Sequence, residues 1–89
     1  PEAQRFGADR PMTRAEVVEW LCFQTWYERE AASFIGAWLR DVPEEDVFYA
    51  LCKQVADEGT HFHLFNRHLE ALGGSLAGWS PEPEWVASR

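Results

Sequence analysis

Cysteine is scarce in this chain, and its two residues exclude most of what cysteine usually signals. Cys22 and Cys52 do not form the spacing pattern of a disulfide framework or a zinc site. They read as reduced packing residues, which fits a cytoplasmic location or enclosure in a cytoplasmic compartment. Basic residues are also few. Eight Lys and Arg stand against fifteen Asp and Glu, leaving a formal net charge of -7. That balance argues against nucleic acid or an anionic membrane surface as a partner. No apolar run approaches the length of a membrane span, and no signal-peptide pattern opens the chain. The first residue is Pro1 rather than Met, so processing or missing preceding residues are expected. There is no Ser-His-Asp arrangement, Gly-rich phosphate loop or Cys-rich metal motif. Apolar residues, by contrast, are plentiful. At 46% hydrophobic and 15% aromatic the chain is too apolar for disorder, and 89 residues suit one small domain.

Helix breakers are absent over long stretches. Between Thr13 and Arg40 there is no proline, and the only glycine is Gly36. Residues 1–12 read as an N-terminal arm and 13–40 as a first helix, opened by a Thr-x-x-Glu capping box of Thr13 and Glu16. Val17, Leu21, Gln24, Glu28, Ala31, Ile35 and Trp38 alternate steps of four and three, the seam of a bundle helix. Trp20, Phe23, Tyr27 and Phe34 form a second apolar line beside it, so this helix needs more than one neighbour. A second helix is predicted over 43–72. Pro43 suits its first turn, and Glu44, Glu45 and Asp46 suit its positive end. Gly73 and Gly74 end it. Residues 75–89 are a tail or the start of a third helix, with Ser80 as N-cap and Pro81 at the first position. The alternative is a short capping turn, with Trp79 and Trp85 covering the end of the hairpin. The predicted fold class is all-α: an antiparallel two-helix hairpin that completes a four-helix bundle by dimerisation or with a missing second half. Its aromatic residues, among them Trp20, Phe34, Trp38, Phe48, Phe62 and Phe65, are more than two helices can cover, which marks an interface.

The chemistry-bearing residues sit on these helices. Glu58 and His61 are three residues apart, one helical turn, and so share a face. They fall within an apolar stripe that includes Val55, Phe62, Phe65 and Leu69. Charges on such a stripe need a partner or a metal. A short turn makes the two helices antiparallel neighbours, and residues at equal height then have numbers adding to about 86. Glu28 and Glu58 meet that condition, so two carboxylates lie level. They repel unless a proton or a cation intervenes. Gln24 and Gln54 each precede their Glu by one turn and are placed to hydrogen-bond metal ligands. Tyr27 lies beside this site, as a redox-active phenol or simply a core tyrosine, and His68 returns to the face of His61 two turns on. Glu30 and His63 face elsewhere. Carboxylates with imidazole suit iron or manganese, while the poverty of sulfur disfavours copper(I) and iron–sulfur clusters. A metal-free alternative stands beside this: a carboxylate paired with a satisfied core histidine in a buried polar network.

With Glu28 in the first helix and Glu58-Gly59-Thr60-His61 in the second, the stretch from Val17 to Leu72 resembles the ferritin-like di-iron carboxylate superfamily. The resemblance implies a four-helix bundle with two irons reacting with oxygen or peroxide, as an oxygenase, an oxidase or a ferroxidase. It implies Glu28, Glu58 and His61 as ligands. The chain carries only half of the family's set, which needs two lone Glu residues and two Glu-x-x-His motifs. Two completions are open. A second copy supplies the same three ligands, as in the two-helix encapsulated ferritins, or the rest of a longer ferritin-like chain supplies them. From a different class comes a metal-free helical dimerisation module.

Overall fold

The computed structural model describes residues 10–83, which form two long helices in an antiparallel hairpin. Helix α1 spans Arg14–Trp38 and tightens into a 3-10 turn at Leu39–Asp41. Helix α2 spans Glu45–Ala71. Among the described residues there is no strand, and no helix is long and apolar enough to cross a membrane.

Local chemistry sets the helix ends. Thr13 Oγ1 accepts from the Glu16 amide at 3.2 Å, and Glu16 Oε1 accepts from the Thr13 amide at 2.9 Å, so the capping box closes. Arg10 adds a two-pronged bond to the same carboxylate, at 2.8 and 3.0 Å. The guanidinium, with the Thr13 amide, holds Glu16 down to about 2. Helix α2 starts later than its sequence suggests. Glu44 is its N-cap, with extended backbone, and Pro43 lies outside the helix. The ring of Pro43 disfavours helical backbone at Val42, which is extended. The chain therefore leaves the 3-10 turn in an extended run before α2 begins, with Glu45 and Asp46 in its first turn.

Helix α2 closes in a Schellman motif. The Gly74 amide donates to the Leu69 carbonyl and the Gly73 amide to the Glu70 carbonyl, both at 2.9 Å. Gly73 has φ +84°, which favours glycine. Gly74 meets a packing limit instead, since a Cβ there would lie 2.5 Å from Leu69 Cδ1 and 2.9 Å from Val18 Cγ1. Arg14 Nη2 donates to the Leu72 carbonyl at 2.8 Å, tying the start of α1 to the end of α2.

The core lies at this tail end, around the buried side chains of Leu21, Cys22 and Leu69. Helix α1 therefore turns Leu21, Cys22 and Thr25 inward, whereas Trp38, placed on the predicted seam, is exposed. The segment after α2 is the reason. It folds back on α1, and Leu76 and Trp79 pack on the core. The Cys22 thiol donates to the Ser75 carbonyl at 3.7 Å, and Trp79 Nε1 donates to Glu19 Oε2 at 3.0 Å. The Trp79 ring lies 6.3 Å from that of Trp26. Burial, with the Glu19 charge, pushes the Cys22 thiol up. Cys22 and Cys52 are both free. Trp79 thus takes the covering role. Ser80 to Glu82 are irregular and helical backbone appears at Pro83, two residues after the predicted start, while Trp85 lies outside the described residues.

The turn end is barer. Phe34, Trp38, Val47, Phe48 and Tyr49 are all exposed. Trp20 and Phe65, expected on the uncovered surface, instead meet edge to face at 6.2 Å against the core.

Candidate metal centre

Glu28 from α1 and Glu58 and His61 from α2 converge between the two ends. Each offers one ligand atom, and these atoms lie within 4.8 Å of one another. His61 Nδ1 is 3.6 Å from Glu28 Oε2 and 3.7 Å from Glu58 Oε2. The helical period brings Glu58 and His61 together. The antiparallel register that follows from the short turn brings Glu28 to them.

Burial is uneven. The side chains of Glu28 and Glu58 are 15% and 18% exposed, but that of His61 is 51% exposed. The apolar stripe suggests a buried position for all three. Two helices cover only the groove between them, so His61 stands at the rim and the cluster is open on one side. Burial pushes the Glu28 carboxyl up to about 7. The Glu58 carboxylate, through a hydrogen bond and like charge, pushes the same way, and His61 opposes it. A proton thus relieves the carboxylate pair, and a cation would do so in its place. Two oxygens and an imidazole nitrogen fit iron or manganese by donor type.

The remaining expected participants are scattered. Gln24 is half-buried, while Gln54 and His68 are exposed. Tyr27 is exposed, its ring 5.9 Å from Phe23 and 6.4 Å from Trp26. His68, Glu30 and His63 stand outside the cluster, whose members among the described residues are Glu28, Glu58 and His61. Thr25 escaped notice in the sequence. It is fully buried, and its hydroxyl has no hydrogen-bond partner among the described residues. Its place one turn before Glu28 was the available signal. No protein-family model, curated protein or solved structure matches this chain.

Proposed function

We propose that this hairpin is half of a ferritin-like di-metal carboxylate centre, binding iron or manganese and serving oxygen-dependent oxidation. The observation that supports it is the convergence of Glu28, Glu58 and His61. In this reading those three residues hold the metal, and a second copy of the chain, or the rest of a longer one, supplies the matching three. A two-fold contact would present the same residues from both sides. The exposed rings of Tyr27, Phe34 and Trp38 on α1 offer apolar surface for it. Bound iron(II) would supply the electrons that reduce oxygen, for an organic substrate or, in a ferroxidase, from iron as the substrate. The chain's own part is to give up the proton held at Glu28 as the cation enters, and to keep two carboxylates half-screened from water while His61 faces the open side.

A metal-free dimerisation module is the second reading. What favours it is the Glu28 carboxyl at about 7, where a proton alone relieves the pair, together with the bare aromatics of the turn end. Metal analysis of protein purified without chelator separates the two. Wild type should retain iron or manganese, Glu28→Ala and His61→Ala should lose most of it, and Glu30→Ala and His63→Ala should retain it. On aerobic addition of iron(II), wild type should oxidise it faster than buffer does. Equal metal content in all four variants, or none in wild type, would sink the metal reading.

A further inference from the structure

The two helices contain three serine and threonine residues, and two of them behave alike. Ser33 Oγ donates to the Arg29 carbonyl at 2.9 Å, and Thr60 Oγ1 donates to the Ala56 carbonyl at 3.1 Å. Each takes the carbonyl one turn back, the usual local resort of a helical hydroxyl. Both residues are exposed, so water is also within their reach. Thr25 differs on both counts. Its exposure is 0%, and its Oγ1 has no partner among the described residues, so even the Leu21 carbonyl one turn back is not taken. A buried hydroxyl left unpaired is unfavourable, and native proteins satisfy most such groups. The orphan therefore points to a partner that appears in another state of the molecule.

Its position names that partner. Thr25 precedes Glu28 by three residues, so the two side chains are neighbours along α1. The register that levels Glu28 with Glu58 also levels Thr25 with His61. In the hairpin the Glu28 carboxyl lies with Glu58 and His61, and the Thr25 hydroxyl has no partner among the described residues.

We propose that Thr25 is a positioning residue of the triad, its hydroxyl donating a hydrogen bond to the Glu28 carboxylate when a metal is bound. This rests on the metal-binding reading above. A carboxylate ligand keeps lone pairs that accept hydrogen bonds, and such bonds orient ligands and strengthen their hold on the metal. The hydroxyl then gains its partner only in the loaded state, so its removal weakens binding without weakening the empty protein.

Two variants and two measurements test this. Thr25→Val keeps the shape and removes the hydroxyl, whereas Thr25→Ser keeps the hydroxyl. Anaerobic titration with iron(II) and with manganese(II) gives affinity, and thermal unfolding gives the stability of the metal-free forms. Thr25→Val should bind roughly tenfold more weakly or worse, yet melt no lower than wild type when metal-free. Thr25→Ser should bind as wild type does. If Thr25→Val binds like wild type, the hydroxyl is a packing defect and the proposal falls. If Thr25→Ser loses as much affinity as Thr25→Val, the methyl group matters and the hydroxyl does not. If metal-free Thr25→Val melts lower, the hydroxyl is already satisfied in the empty hairpin, which also overturns the idea. Wild type that binds neither metal removes the metal reading and this inference together, whereas wild-type affinity in Thr25→Val removes this inference alone.

Discussion

The tail end and the turn end of this hairpin are made of similar residues but reach different degrees of closure. At the tail end, Leu21, Cys22 and Leu69 are buried, and Leu76 and Trp79 lie over them. At the turn end, Phe34 and Trp38 meet edge to face at 5.6 Å yet remain exposed, as do Val47, Phe48 and Tyr49. The difference lies in a third layer. Two helices bury only the groove between them, and a core forms where another segment covers their flanks. Ser75 to Trp79 do that at one end. The Glu28, Glu58 and His61 cluster lies between the two regimes, with half-buried carboxylates and an open imidazole.

Truncation at each end is the strongest way to break the comparison. Leu69→Ala removes a fully buried side chain from the core and should cost about 3 kcal/mol in urea unfolding. Phe48→Ala, at an exposed site, should cost about 1 kcal/mol or less. Equal losses would mean that the turn end is closed in solution.

Stability against pH sharpens the contrast, because the two perturbed carboxyls work in opposite directions. Glu16 is held at about 2, below its ordinary 4.5, by Arg10 and the Thr13 amide. Its contribution is present above 4.5 and is lost as pH falls towards 2. Glu28 is raised from 4.5 to about 7, so its contribution is full below 4.5 and is lost as pH rises through 7. Metal-free protein should therefore melt highest near the common ordinary value of 4.5. Glu28→Gln should flatten the fall on the alkaline side, and Glu16→Gln the fall on the acid side. Melting curves across pH would refute this if either variant altered the opposite limb.

The smallest effect concerns the covering segment itself. Trp79→Phe keeps an aromatic ring but removes the bond to Glu19 Oε2, a loss of about 1 kcal/mol. The Cys22 thiol beneath should then react faster with a thiol reagent, with Cys52 unchanged. An unchanged rate at Cys22 would show that the segment stays closed without that bond.

Much of the architecture follows from the sequence because its causes are local or periodic. The capping box of Thr13 and Glu16 and the stop at Gly73 and Gly74 each depend on neighbours within one turn. The meeting of Glu28 with Glu58 and His61 needs only helical spacing and a short turn. Pro43 shows how boundaries slip, since its ring suits the first turn of a helix and the extended run just before α2 equally well.

Tertiary structure alone decided where the core sits, because burial depends on what lies across from a residue. Trp20 and Trp38 lie on neighbouring apolar lines of one helix. Trp20 packs on the core at the tail-covered end, while Trp38 stays exposed at the other. His61 sits in an apolar stripe yet is half exposed, because among the described residues no third layer covers it there. Thr25 reads as an ordinary helical threonine, and only the packing around it leaves its hydroxyl buried and unpaired. Spacing along a chain sets which residues share a face; the layer that reaches that face sets what the face becomes.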